Sequence, residues 1–161
     1  MIRVLIVDDS ALIRRIIKDA LSQNPDIEVV GTAENGAEAI EKLKELSPDA
    51  ITLDVEMPVM NGLETLKKII SIKPTPVIMV SALTTKEASV TVEALMSGAV
   101  DFIAKPRNLF SDFDSFVKEL QSKVVNVARS KGRYVPVIEN LSRVSKTRGD
   151  LPEKLIIIGS S

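Results

Sequence analysis

The sequence predicts an α/β protein: a doubly wound, five-stranded parallel sheet with helices on both faces and strand order 2-1-3-4-5. Two observations predict it. Five short strand-like runs alternate with five segments of helical period, the signature of repeated strand–helix units joined by right-handed crossovers. Three of the runs, at residues 3–7, 50–53 and 76–80, are apolar enough to be buried on both faces, whereas those at 27–33 and 101–104 have the mixed character of edge strands. In the order 2-1-3-4-5 the switch point lies between the first and third strands, where open α/β sheets bind ligands.

The elements follow in order. Residues 3–7 form a continuous strand ending in Asp8-Asp9-Ser10, with Ser10 as N-cap for a helix striped by Ile13, Ile16, Ile17, Ala20 and Leu21. Asn24-Pro25 stops it. Residues 27–33 alternate, as an edge strand should, and Asn35-Gly36 opens a helix with Ala39, Ile40, Leu43 and Leu46 on its stripe. The third strand, bounded by Ser47-Pro48 and Met57-Pro58, carries Asp54 at its carboxyl end; Asn61-Gly62 then starts a helix with Leu63, Leu66 and Ile70 on one side. The fourth strand ends in Ser81-Ala82. Its helix, from about residue 86 to 97, contains the β-branched run Val90-Thr91-Val92, which weakens helix propensity. Ala88, Val92 and Leu95 are expected to face one way, leaving Val90 and Ala94 for a partner. Gly98 closes this helix, and residues 101–104 make a short strand ending in Lys105-Pro106. Ser111-Asp112-Phe113-Asp114 reads as a capping box for a long helix striped by Phe113, Phe116, Val117, Leu120, Val124 and Val127.

Composition narrows the chemistry. A chain of 161 residues suits one domain plus a remainder, and is long enough to bury about two-thirds of its unfolded surface. Lys and Arg number 21 against 22 Asp and Glu, so nucleic acid has no electrostatic footprint here. Without Cys, disulfides and thiol chemistry are excluded; without His, so are imidazole acid–base catalysis and His metal ligation within this chain. No apolar run approaches the ~20 residues of a membrane span, and the first residues enter a strand without a signal-peptide layout, so membrane insertion is not expected and a cytoplasmic location is.

Asp8, Asp9 and Asp54 end adjacent strands, so their carboxylates are neighbours at the switch point. Two unit charges ~4 Å apart repel by about 4 kcal/mol at an effective dielectric near 20, and a cation is the natural remedy. Mg2+ fits, because it takes one or two carboxylates, keeps waters and accepts phosphate oxygens. Lys105 ends the fifth strand and Ser81 the fourth, adding an ammonium and a hydroxyl on the same edge. Carboxylate, cation, ammonium and hydroxyl together suit a phosphoryl group, with attack by Asp54 giving an acyl phosphate. Read singly, each residue has a plainer role: the acidic pair at a helix start, Asp54 shaping a turn, Ser81 an N-cap, Lys105 a turn residue, Phe102 core. Their conjunction on one sheet edge favours the phosphoryl site.

Asp8-Asp9, Asp54 with Met57-Pro58 and Asn61-Gly62, Ser81-Ala82 and Lys105-Pro106 are the features by which residues 1 to about 125 resemble a response-regulator receiver domain of two-component signalling, a flavodoxin-like fold. The resemblance implies a domain over 1–129 with Asp54 as phosphoacceptor from a histidine kinase. It also implies Mg2+ on Asp8, Asp9, Asp54 and the Glu56 backbone carbonyl, Ser81 and Lys105 at the phosphoryl group, Phe102 as an aromatic switch, and a cis Lys105–Pro106 bond.

Beyond residue 129 the character changes. Residues 130–153 carry Gly132, Pro136, Gly149 and Pro152 among scattered charges and read as a linker, with a short helix around 138–144; residues 154–161 begin another strand. Asp8 to Arg15 and Ile156-Ile157-Ile158-Gly159-Ser160-Ser161 are similar to the chemotaxis protein-glutamate methylesterases, in which a receiver and linker precede an α/β esterase domain. That resemblance implies that residues 154–161 are the first strand of a truncated esterase domain. Ser161 then aligns with the nucleophile, Ser160 stands where Ala is commoner, and the His and Asp partners lie downstream. The implied role is phosphorylation-dependent control of an esterase that demethylates glutamate, or deamidates glutamine, on chemoreceptors. Two other readings compete. A receiver of a DNA-binding regulator would continue into a basic helix-turn-helix, which the apolar residues 155–158 do not suggest. A Mg2+-dependent phosphatase with an Asp nucleophile would carry Asp-x-Asp, where this chain has Asp54-Val55-Glu56.

Overall fold

The strand–helix units form where the apolar periods place them, in a computed structural model that describes residues 1–82 and 84–129. They are β1 (Ile2–Val7), α1 (Ala11–Ser22), β2 (Ile27–Ala33), α2 (Gly36–Leu46), β3 (Ala50–Asp54), α3 (Gly62–Ile72), β4 (Val77–Ser81), α4 (Thr85–Met96), β5 (Asp101–Ala104) and α5 (Phe113–Arg129). All strand pairs are parallel and the order is β2-β1-β3-β4-β5. The linker and terminal strand expected over 130–161, Ser161 included, lie outside the described residues.

Because side chains alternate across a strand, each central strand feeds two cores. Leu5, Val7, Ile51, Leu53, Val77 and Met79 pack against α2, α3 and α4 through Leu43, Leu66, Ile69 and Ala94. Val4, Ile6, Ile78, Val80 and Ile103 pack against α1 and α5 through Ile17, Leu21, Phe116 and Leu120. Continuous apolar strands are thus buried on both faces, as expected. The β1–β2 register slips between Val4 and Leu5, which pair with Val29 and Gly31, so Val30 is skipped as a bulge in the edge strand.

Side-chain caps start four helices close behind the strand ends. Ser10 accepts from the Ile13 N–H (3.3 Å), Asn35 from Glu38 (2.8 Å), Asn61 from Glu64 (2.9 Å) and Thr84 from Glu87 (3.1 Å). The capping box expected at Ser111 does not form. The Asp112 carboxylate is turned back to accept from the Asn108 N–H (3.1 Å), satisfying the turn before the helix instead.

Two helix faces differ from expectation. In α3 the fully buried pair is Leu66 and Ile69 with Thr65, while Leu63 and Ile70 are half-buried. In α4 the inward residues are Glu87, Thr91 and Ala94, flanked by half-buried Val90 and Leu95; Ala88 and Val92 face solvent. Apolar residues in α4 are too evenly spread for periodicity to choose a face. Two polar residues decide it: Glu87 bonds to the chain behind the helix, and the Thr91 hydroxyl donates to the Glu87 carbonyl (2.7 Å).

Thr52, in register with Ile6 and Ile78, is fully buried, and its hydroxyl has no hydrogen-bond partner among the described residues. An unsatisfied buried hydroxyl costs about 1–3 kcal/mol. Thr52→Val keeps the shape and is expected to raise stability by about 1 kcal/mol, read as a higher urea midpoint. An unchanged midpoint would mean the hydroxyl is satisfied in solution.

Candidate functional site

The carboxyl ends of β1, β3, β4 and β5 converge on one pocket. Asp8, fully buried, is fixed from both sides: its N–H donates to the Ala33 carbonyl (3.0 Å), and its own carbonyl accepts from the Arg14 guanidinium (2.7 Å). Its carboxylate Oδ1 accepts from the Ser10 N–H (2.9 Å). Asp54, 1% exposed, accepts at Oδ1 from Lys105 Nζ (2.9 Å) and the Glu56 N–H (3.4 Å). Lys105 Nζ also lies 3.8 Å from Asp8 Oδ2. Asp9, exposed, completes a cluster in which one carboxylate oxygen from each of Asp8, Asp9 and Asp54 lies within 4.8 Å of the others.

Gly62 permits this arrangement. A Cβ there would come 2.1 Å from the Asp54 carbonyl oxygen and 2.9 Å from Val55 Cα, so only glycine lets α3 begin directly beneath the acid. The Gly62 N–H donates to the Val55 carbonyl (2.9 Å), closing the loop. At the tip of that loop the Met60 N–H reaches the Pro58 carbonyl (2.7 Å), with Val59 between them at φ 69°. A positive-φ γ-turn on a β-branched residue is strained, so the loop stores strain beside the acid.

Three acids face one ammonium, and the protonation equilibria show it. Burial, then the Asp8 charge, push the Asp54 carboxyl up to about 7 against the pull of Lys105. Burial is also the main cause that raises Asp8, with the Ser10 N–H and Lys105 opposing. For Lys105, burial works to lower the pKa, but Asp54 and Asp8, with a smaller contribution from Glu87, outweigh it and hold the ammonium above its usual value. Asp8 Oδ2 and Asp54 Oδ2 are buried acceptors without a hydrogen-bond donor among the described residues. Two orphaned carboxylate oxygens beside a third acid are what a hard, oxygen-liganded cation satisfies.

The remaining expected residues are placed as follows. The Glu56 side chain turns outward and pairs with Lys86 (3.0 Å), so its carboxylate is not in the cluster. Ser81 is buried at the end of β4, and its hydroxyl donates to the Ala82 carbonyl (2.9 Å) rather than toward Asp54. Phe102 is not core: it is 42% exposed, with Lys123 Nζ 5.1 Å from its ring centroid and bonded to its backbone carbonyl. On this four-residue edge strand the ring is covered only in part, by the Lys123 side chain of α5, among the described residues. The Lys105–Pro106 bond is trans, contrary to expectation, since no described peptide bond is cis; the trans form is the intrinsic preference of X–Pro by about 0.5–1 kcal/mol. Sequence reasoning missed Glu87, which is buried in α4 and accepts from the Ala82 N–H (3.1 Å). Its signal was present as Thr84-Thr85-Lys86-Glu87, the spacing of a capping box.

Comparison with known proteins agrees with this geometry. The response regulator receiver domain family matches residues 4–112. The chain belongs to the response-regulator receiver family. This receiver is 51% identical to the response regulator domain of Thermotoga maritima CheB, at TM-score 0.72, covering 80% of this chain and 97% of that one. It is also 46% identical to the protein-glutamate methylesterase/protein-glutamine glutaminase of Thermotoga maritima over 162 residues, 100% of this chain and 47% of that protein. The chain thus spans about half the length of the curated relatives it matches. A CheX-CheY-BeF3-Mg+2 complex from Borrelia burgdorferi is a more distant likeness, 31% identical at TM-score 0.62 over 80% of this chain and 87% of that one. The receiver is of the kind found in chemotaxis methylesterase regulators. Among the described residues no helix is long and apolar enough to cross a membrane.

The raised Asp54 carboxyl has a stability consequence. The folded receiver binds this proton more tightly than the unfolded chain does, so the group's contribution falls as pH rises from 3.8 through about 7. Asp54→Asn removes that loss. Without divalent cations, the variant is expected to match the parent near pH 4 and exceed it by up to about 4 kcal/mol at pH 8. Urea melts at the two pH values check this; a difference independent of pH would refute it.

Proposed function

We propose that this receiver is phosphorylated on Asp54 by a histidine kinase and thereby controls a protein-glutamate methylesterase. The observation that carries the reading is the state of Asp54: buried, held by Lys105 through one oxygen, and with a second oxygen that no donor among the described residues satisfies. In the reaction an Asp54 carboxylate oxygen forms a P–O bond as the P–N bond of a phosphohistidine breaks, the electron pair leaving with the imidazole nitrogen. Lys105 would stay with the phosphorylated carboxyl and meet the new phosphoryl oxygens. Asp8, Asp9 and Asp54, with the Glu56 backbone carbonyl, would hold Mg2+, whose charge offsets theirs and that of the phosphoryl group. The beryllofluoride and Mg2+ named in the complex of the distant relative support this choice.

The response then falls to Ser81 and Phe102. Turning the Ser81 hydroxyl from the Ala82 carbonyl toward the phosphoryl group vacates space in which Phe102, now half outside, changes rotamer. Exposed Val92 and Phe102 lie on α4 and β5, and they supply the face whose packing changes. The names of the relatives support an esterase as the output; in this reading it acts on chemoreceptors in the cytoplasm. In this reading residues 130–153 are a linker and 154–161 begin the esterase, with Ser161 as its nucleophile. The unphosphorylated receiver, kept at high effective concentration by a short linker, covers the esterase site.

Asp54 alone should be labelled by a small acyl phosphate with Mg2+, and Asp54→Asn should lose the label; undiminished labelling of the variant would refute the assignment. Residues 1–161, which contain no His, should release no methanol from methylated receptors. A full-length protein should, faster when phosphorylated. A form lacking residues 1–129 should outpace the unphosphorylated full-length protein, and if it does not, the blocking arrangement is wrong.

A further inference from the structure

Three donors stand at the ends of β4 and β5, the strands beyond β3 and its Asp54, and each is engaged by an acceptor within the chain. Lys105 Nζ donates to Asp54 itself (2.9 Å), the Ser81 hydroxyl to the Ala82 carbonyl (2.9 Å), and the Ala82 N–H to the Glu87 carboxylate (3.1 Å). The last is unlike the others. Ala82 follows the final residue of β4, and Asp54 pairs with Val80 in the neighbouring strand, so this backbone donor lies two residues past the register position of Asp54, at the same end of the sheet. The Lys105 N–H donates to the Ser81 carbonyl (2.8 Å), which ties β5 to the same point. Glu87 belongs to the first turn of α4, where Thr84 already caps its N–H. An ordinary capping box would send the Glu87 side chain to the Thr84 N–H; here it reaches two residues further, to Ala82. It is buried, and its charge is felt at Lys105 after those of Asp54 and Asp8.

We infer that Glu87 is a resident stand-in for the phosphoryl group: its carboxylate occupies the Ala82 N–H at rest and must give that donor up when Asp54 is phosphorylated. A carboxylate and a phosphoryl oxygen are both anionic acceptors of backbone N–H bonds, so one donor serves them in turn. Glu87 therefore acts as a positioning residue through Ala82. It holds the β4–α4 connection in its resting form, and its displacement loosens the first turn of α4. This couples the pocket to the helix whose packing is set by Glu87 and Thr91. The inference rests on the proposed phosphoacceptor function of Asp54.

The test is binding of beryllofluoride in the presence of Mg2+, with the Ala82 amide resonance followed in parallel. If the parent chain binds no beryllofluoride at Asp54, the phosphoacceptor reading fails first. If it binds, Glu87→Gln, which keeps the shape and weakens the acceptor, is expected to bind roughly threefold to tenfold more tightly, and Glu87→Ala at least as tightly. Without beryllofluoride, the Ala82 amide should exchange faster in Glu87→Ala than in the parent. Glu93→Gln, an exposed change of the same charge on the same helix, should leave affinity unchanged. A purely structural cap predicts the opposite sign, weaker binding as α4 frays. Unchanged or weaker binding in the folded Gln variant, or equal tightening by Glu93→Gln, would overturn the proposal. Should the Ala variant fail to fold, the Gln variant and its Ala82 amide decide alone.

Discussion

The contact between Lys105 and Asp54 is what the rest of the pocket depends on. It places the one ammonium among three carboxylates, two of them buried, and spans from β5 to β3 across the end of β4. Water could screen such charges if it reached them, but Asp8 and Asp54 are sealed by the strands beside them. The imbalance is therefore carried as raised carboxyl pKa values and as two carboxylate oxygens without donors among the described residues. Added positive charge would relieve both, by lowering the cost of ionising the acids and by satisfying the free oxygens.

Holding like charges together requires a stiff frame, and the loops supply it. Ser10, Asn61 and Thr84 cap the helices that begin just past β1, β3 and β4, so three loop geometries are specified by side-chain bonds. Arg14 reaches back from α1 to the Asp8 carbonyl, and Gly62 lets α3 start against the Asp54 backbone. Val59, forced to positive φ, is the strain accepted for turning the chain so tightly.

Against this frame α4 is the least committed element. Its buried face includes a charged and a hydroxylated residue, and it carries the β-branched run Val90-Thr91-Val92. Its attachment to the pocket is polar, through Glu87 and Ala82, rather than a deep apolar contact. Polar attachments can be exchanged for others of similar strength, whereas apolar packing of the α1 and α5 kind cannot be broken without exposing core. The element that follows the site is thus the one whose attachment is easiest to exchange.

The sequence by itself determined the sheet. Alternation of apolar strands with helical periods, and the contrast between continuous runs and mixed edges, specify the order β2-β1-β3-β4-β5, because burial on both faces leaves a strand few places to go. It also brought Asp8, Asp9, Asp54, Ser81 and Lys105 to one edge, since strand ends in a parallel sheet share a side. Only the tertiary structure decided where individual side chains turn. The even spread of apolar residues in α4 left its face open until Glu87 and Thr91 chose it. Phe102 proved half exposed because, among the described residues, its short edge strand leaves the ring covered only in part, by Lys123. Asp112 accepts from the Asn108 N–H of the preceding loop, a partner that only the folded loop brings to it. Burial period is read along the chain, one residue at a time; a polar side chain selects among partners that only folding brings within reach.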